Sequence, residues 1–422
     1  MSLVDRFLSG LRALFGSRPV TRKVGGLTPS GPVDASGRAP DAPLEVVQTR
    51  GPLKPGHRRE IRRDPRLLPK PPRRFTRRPK LMSADEARRR FADTLRPSNR
   101  RLSDLLPDEA QLQRYGLPVW RTETELAAAL DVSVKRLRHF SIHRSMEGAP
   151  HYVAFRIPKR RGGTRVIHAP KTKLKALQRR LHALLVSKLP VSEHAHGFVK
   201  GRSVRTNAAP HVKKAAVLKL DLKDFFPSVT YARVRGLLIA LGYGYEVAAT
   251  LAVLMTEAER QPVEVNGRRF HVPVGPRVCV QGAPTSPGLC NALVLRLDRR
   301  LGGLARKHGF SYTRYADDLT FSGDAPAKAE RLIALAARIV KEEGFALNEE
   351  KTRLLRRGGR QVVAGVTVNE VLGLSRQERR RIRAMLHQAE RTGDGKLRQE
   401  AEGHVAWVNM LNAEQAAKLR RG

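Results

Sequence analysis

Gly309-Phe310-Ser311-Tyr312-Thr313-Arg314-Tyr315-Ala316-Asp317-Asp318-Leu319-Thr320-Phe321-Ser322 decides the reading of this chain. Apolar and aromatic residues run up to two adjacent carboxylates, and a strand pattern resumes at Leu319. The pattern predicts a β-hairpin with Asp317 and Asp318 at its turn. Two uncompensated acids at a tight turn repel each other, so the pairing points to a cation. An Asp-Asp pair alone is weak, because acids are common in solvated turns. A distant third acid strengthens it. In Val217-Leu218-Lys219-Leu220-Asp221-Leu222, strict alternation places Leu218, Leu220 and Leu222 on one face and Val217, Lys219 and Asp221 on the other. A strand acid plus a hairpin acid pair suits two-metal phosphoryl transfer. Carboxylates then hold two divalent ions about 3.5–4 Å apart, which clamp the attacking and leaving oxygens.

With these residues in view, the chain resembles a reverse transcriptase, with Tyr315-Ala316-Asp317-Asp318 as the metal-binding hairpin and Asp221 as its partner. More narrowly it resembles the bacterial retron type. Asn207-Ala208-Ala209-Pro210-His211 fits the Asn-Ala-x-x-His signature, and Val363-Ala364-Gly365 departs by one residue from Val-Thr-Gly. The resemblance runs over roughly residues 120–420, with its motifs in the family's order. It implies an α+β, right-hand polymerase fold of fingers, palm and small helical thumb.

Formal charge is +42, from 81 basic and 39 acidic residues. Such a balance argues for a polyanionic partner, nucleic acid before anionic membrane. Cys279 and Cys290 are the only cysteines, too few for a zinc cluster or a disulfide framework, and are expected as small apolar residues in a reducing cytoplasm. No apolar run reaches the roughly 20 residues that span a bilayer.

Residues 1–80 read as an amphipathic helix followed by a disordered basic arm. Leu3, Phe7, Leu11 and Leu14 share a helical face, for docking on a partner or membrane surface or for packing on the protein itself. Between Gly51 and Lys80 stand 12 basic residues, 2 acids and 7 prolines. That composition cannot offset its ordering entropy and suits either nonspecific RNA gathering or a solvated linker. Residues 81–150 read as a helical extension, with Thr122-x-x-Glu125 as a capping box and Asp131 or Ser133 capping the next helix. Its helix pair resembles a helix-turn-helix but is more often plain packing.

Residues 151–370 are expected to form fingers and palm. Two strands flank Gly162-Gly163, resembling the family's fingers hairpin, in which Lys159 and Arg165 match positions that contact the incoming triphosphate. Charge developing on pyrophosphate calls for such fixed cations. Leu174–Leu189 is expected as a helix, and His196–Ser203 as a loop approaching nucleic acid. Asn207 and His211 carry the signature's RNA-positioning role, or His211 serves as a structural histidine. Phe226, five residues past Asp221, matches the aromatic gate against ribose, while Phe225 points inward. One helical stretch is expected over Thr230–Met255 and a hairpin around Asn266-Gly267. Gln281-Gly282 resembles the loop beneath the template–nucleotide pair. Ser286 then caps, and Pro287 opens, a helix with Leu289, Leu293, Leu297 and Leu301 every four residues. Pro326–Glu343 forms a helix closed by Gly344, Lys351 is a candidate proton donor to the leaving group or a surface lysine, and Gln361–Asn369 reads as strands. From residue 371 to 422 two basic helices, with Trp407 packed between elements, form the thumb. About 50 residues after the palm are less than a nuclease domain occupies, so removal of the RNA is expected to come from elsewhere.

The expected function is therefore RNA-directed DNA synthesis at Asp221, Asp317 and Asp318 with two Mg2+ ions. The substrates are deoxynucleoside triphosphates and the growing product is an RNA–DNA hybrid. The retron resemblance implies a dedicated noncoding RNA template-primer, initiation at an internal guanosine 2′-hydroxyl, branched RNA-linked DNA, an effector protein and a role in phage defence. The rival readings are a group II intron-type or other prokaryotic reverse transcriptase, a nucleotide-cyclising palm, and a catalytically silent RNA-binding scaffold.

Overall fold

Three short helices lead the computed structural model, which describes residues 106–142, 147–158, 164–265 and 267–420. The amphipathic stretch, the basic arm, Lys159, the Gly162-Gly163 turn and Asn266 lie outside these residues. Helices α1 (Glu109–Arg114), α2 (Glu123–Ala129) and α3 (Val134–Ser141) are capped by the side chains of Asp108, Thr122 and Ser133. Each accepts an N–H that a helix start leaves orphaned. The expected box at Thr122 closes only by half, because the Glu125 carboxylate accepts from the Arg121 amide instead.

Hairpin β1 (Tyr152–Pro158) and β2 (Thr164–Pro170) follows, with Phe155 opposite Ile167. Next come α4 (Thr172–Leu184), α5 (Val204–Ala208) and β3 (Ala216–Asp221). The single helical stretch expected over Thr230–Met255 is two helices, α6 (Tyr231–Leu241) and α7 (Tyr245–Met255). Gly242 separates them at φ 114°, a left-handed backbone that glycine adopts at no steric cost. The N-terminal helices dock here: the Asp108 amide donates to the Gly242 carbonyl at 2.8 Å.

Hairpin β4 (Arg260–Val265) and β5 (Arg268–Pro273) precedes another break. The leucine-spaced helix divides at Val294 into α8 (Ser286–Leu293) and α9 (Leu295–His308). Pro287 lies in the first turn as expected, but Ser286 is itself helical and its buried hydroxyl makes no cap. Strands β6 (Phe310–Tyr315) and β7 (Asp318–Gly323), helix α10 (Ala329–Glu342) and strand β8 (Arg353–Arg356) complete the central layer. A small hairpin, β9 (Val362–Val363) and β10 (Val366–Thr367), turns through Ala364 and Gly365, both at positive φ. Three helices end the described chain where two were expected: α11 (Arg376–Thr392), α12 (Gly395–Leu411) and α13 (Ala413–Arg420).

The central sheet is antiparallel in the order β6-β7-β3-β8. The alternation read in β3 holds, and an apolar cluster packed on each side of the sheet buries the strand's two faces. Leu218, Leu220 and Leu222 enter the main core with α6, α7, α9 and α10. Val217 enters a second core with Val204 and Ala208 of α5, Val363 and Val366 of the small hairpin, Val368 just after it, and Leu411 of α12. Tyr315 and Trp407 pack against that second core. The two signature segments, far apart in sequence, therefore share one apolar cluster beside the hairpin that bears the acid pair. A third cluster, with Leu374, Ile382, Val405, Val408 and Leu419, joins the C-terminal helices.

At Gly242 a Cβ would lie 2.7 Å from the Asp108 carbonyl oxygen, in addition to the left-handed strain. Gly242→Ala should destabilise the protein by at least about 1–2 kcal/mol, read as a lower denaturant midpoint; an unchanged midpoint would contradict this docking.

Candidate active site

Tyr315 pairs with Asp318 across β6 and β7, leaving a two-residue turn of Ala316 and Asp317. Ala316 takes φ 58°, which the tight hairpin turn demands. On the other side of β7, Asp318 is the direct cross-strand partner of Asp221, the last residue of β3. The Leu222 amide then donates to the Asp317 carbonyl at 2.9 Å. Strand register thus brings the three acids named from the sequence to one corner of the sheet.

The corner gathers three carboxylates, which nearby lysines offset only in part. Burial, and next the neighbouring Asp318 and Asp221, push the Asp317 carboxyl up to about 6. Burial also raises Asp318, against the pull of Lys219. Asp221 is only 6% exposed, and Lys351 donates to both of its oxygens, at 3.0 and 2.9 Å. The segment holding Lys351 is fastened beside the end of β3, where Lys223 donates to the Ala346 carbonyl and Asn348 to that of Asp221. Lys351 therefore stands at the site, whereas sequence left a surface position open.

Hard carboxylate oxygens of this number suit a divalent cation, which would offset both the burial of charge and the mutual repulsion that lift Asp317. Among the described residues, no three acidic, imidazole or thiol side chains are already drawn to metal-ligand spacing. The backbone register gathers the acids, while the Asp221 carboxylate is turned to the Lys351 ammonium.

Phe225 is buried, and Phe226 is half-buried with its ring 5.5 Å from that of Phe225, in the inward and outward senses expected. Gly282 takes φ 108°, and a Cβ there would lie 2.8 Å from the His168 carbonyl oxygen. Gln281 in turn accepts from the His168 amide at 3.0 Å, so the Gln281-Gly282 loop lies against β2. Arg165 is exposed on that same strand, opposite Ile157.

Asn207 and His211 are enclosed. His211 has no exposed surface; Nδ1 meets the Ser322 hydroxyl and Nε2 the Thr313 hydroxyl, each at 2.7 Å. The Thr313 hydroxyl also donates to the Asn207 carbonyl, so Nε2 is the donor to Thr313 and Nδ1 accepts from Ser322. The imidazole is thereby neutral, and burial, with His196 nearby, lowers it to about 3. Its ring ties β6 to β7 from beneath. That geometry favours the structural reading of His211 over direct RNA contact.

Sequence reasoning passed over the buried group behind the turn. Arg314 and Asp298 are both fully enclosed and paired two-to-two at 2.8 Å, with Asn291 beside them. The available signal was charge in apolar settings: Asp298 between Leu297 and Leu301 of a helix, and Arg314 in a strand of aromatics.

Residues 157–383, more than half of the chain, match the family described as reverse transcriptase (RNA-dependent DNA polymerase). Over its full length the chain is 68% identical to the retron Mx65 reverse transcriptase of Myxococcus xanthus, covering 98% of that protein. It is 43% identical to the retron Mx162 reverse transcriptase of the same organism, over 72% of this chain and 67% of the relative. To the retron Ec86 reverse transcriptase of Escherichia coli it is 32% identical, over 66% of this chain and 81% of the relative. The chain belongs to the bacterial retron reverse transcriptases, RNA-directed DNA polymerases that work with divalent metal ions. The fold is accordingly that family's mixed helix-and-strand polymerase fold. Among the described residues no helix is long and apolar enough to cross a membrane.

His211 lends itself to a stability test. Its folded value near 3 lies below the ordinary 6.5, so the unfolded chain binds the extra proton and wild-type stability falls as pH drops below about 6.5. His211→Leu should cost about 1–3 kcal/mol at pH 7, by leaving two buried hydroxyls short of a partner. The gap to wild type should narrow between pH 7 and pH 4 in urea titrations; a constant gap would contradict the assignment.

Proposed function

We propose that the chain copies a structured noncoding RNA into DNA by two-metal phosphoryl transfer, with Asp221, Asp317 and Asp318 holding two Mg2+ ions. The observation that carries this reading is the register that sets Asp221 opposite Asp318 with Asp317 in the adjoining turn. When bound, the ions supply a lower pKa for the primer hydroxyl and counter-charge for the triphosphate. The protein's own groups do the rest. Arg165 and Lys159 are assigned to bind the incoming triphosphate. Lys351, whose ammonium already lies at the acid corner, gives a proton to the leaving pyrophosphate. Phe226 stands where a ribose 2′-hydroxyl would go. Gln281 and Gly282 support the template–nucleotide pair, with glycine permitting close approach.

Around this centre, residues 151–370 serve as fingers and palm and 371–422 as the thumb on the RNA–DNA hybrid. Residues 81–150 buttress the fingers, and residues 1–80 gather RNA by phosphate contacts. Asn207 and His211 act on the RNA from within, by fixing the elements that face it. The retron kinship supports a dedicated noncoding RNA as template and primer, a branched RNA-linked product, a cytoplasmic setting, and a defence role exercised through an effector protein.

Three measurements test this reading. Asp317→Asn with Asp318→Asn should abolish deoxynucleotide incorporation while RNA binding persists, and full activity would refute the site. Phe226→Ala should raise ribonucleotide incorporation; an unchanged preference would remove the gate. Sequencing the nucleic acid that copurifies with the protein should return one structured RNA joined through a 2′-linkage to DNA, and a random RNA population would count against a dedicated template.

A further inference from the structure

The buried group behind the acid turn has a shape that charge pairing alone does not require. The Arg314 guanidinium is held by both oxygens of Asp298, through Nε and Nη2 at 2.8 Å each. Its remaining nitrogen, Nη1, donates to the Ala316 carbonyl and to Asn291 Oδ1, both at 3.0 Å. Asn291 uses its other end as well, since Nδ2 donates to the Gly197 carbonyl at 3.0 Å. One buried amide therefore joins Arg314, which holds the acid turn, to the loop that carries Gly197 and Phe198.

Loop and turn touch backbone to backbone. A Cβ on Gly197 would lie 2.6 Å from the Ala316 nitrogen, so only glycine fits without displacement. The loop is also laced along β6, with Arg314 donating to the His194 carbonyl and His196 donating to that of Arg314, each at 2.7 Å. Just past this anchor, Phe198 takes φ 62° and remains 52% exposed. A non-glycine residue in the left-handed region is strained and persists where its surroundings over-determine it. The Phe198 ring faces that of Phe226, centroid to centroid 6.3 Å at 61°. The Arg314 guanidinium itself lies 5.9 Å from the ring of Phe225.

A buried ion pair is a poor source of stability against an apolar replacement, because both charges are desolvated. What it provides here is fixed direction: the planar fork of Arg314 admits one placement of Asn291 and of the Ala316 carbonyl. From this geometry we infer that Asn291 is a positioning residue that sets the Phe198 loop against the acid turn, and that Phe198 forms a second wall of the sugar-selecting pocket by backing Phe226. The inference rests on the proposed gate role of Phe226 and extends it to two residues that touch neither the acids nor the phosphates. Asn291 acts through the loop, and Phe198 limits how far the Phe226 ring can move aside when a 2′-hydroxyl presses on it.

The test measures ribonucleotide against deoxynucleotide kcat/KM on a primed RNA template, for wild type, Phe226→Ala, Phe198→Ala, Asn291→Ala and Asn291→Asp. Thermal midpoint and RNA affinity are followed in parallel. Phe198→Ala and Asn291→Ala should each raise relative ribonucleotide use by about tenfold. Asn291→Asp keeps an acceptor for Arg314 but loses the donor to Gly197, and should behave like Asn291→Ala. Loss of discrimination in Phe226→Ala alone would overturn the inference and leave the gate standing. Unaltered discrimination in Phe226→Ala would instead remove the gate reading on which the inference depends. Should the Asn291 variants fold poorly, Phe198→Ala decides, because its half-exposed ring can be removed without opening the core.

Discussion

The pairing of β3 with β7 is the constraint on which the rest depends. Side chains alternate along a strand, so a slip of one residue would carry Asp221 to the opposite face of the sheet. Two features prevent that slip. β3 is interior, paired with β7 on one side and β8 on the other, and its leucines fill the main core. The Leu222 amide also closes onto the Asp317 carbonyl, which fastens the end of the strand to the turn itself. Like charges are thereby held together by backbone geometry in a buried corner, and burial first, then their neighbours' charge, raises the carboxyls of Asp317 and Asp318.

The segments that mark the retron branch support this hairpin from inside. His211 bonds one hydroxyl from β6 and one from β7, and Asn207 receives the Thr313 hydroxyl through its carbonyl. Val363, Val366, Val204 and Ala208 meet in one cluster, with Tyr315 against it and Leu411 of α12 within it. Helix α12 thus packs on the same apolar cluster as Tyr315, the second residue before Asp317. Packed interiors transmit such displacements instead of absorbing them. Helix α12 and the acid hairpin therefore share a common footing.

Strands and acids were readable because period-two alternation and paired carboxylates are local signals. Helix breaks were not. The leucines at positions 289, 293, 297 and 301 keep their four-residue spacing straight across Val294, so periodicity does not register the interruption. Gly242 was a visible punctuation mark within an apolar run, and its left-handed turn and the docking of Asp108 explain its place. The third terminal helix had a signal in Asn412, whose side chain accepts from the Gln415 amide three residues on. Lys351 and His211 each admitted two readings from sequence, since charge and aromaticity do not reveal what lies opposite.

Sequence alone determined the ingredients: a hairpin with two acids, a strand with a third, an aromatic pair beyond it, and a basic chain suited to nucleic acid. These are properties of neighbouring residues, written in spacing and in residue type. Only the tertiary structure decided that Asp221 faces Asp318, that Lys351 lies on Asp221, that His211 is enclosed, and that Asn291 joins the turn to the Phe198 loop. Each of those depends on a partner far along the chain, and long-range partners are chosen by burial and register, which no local pattern records.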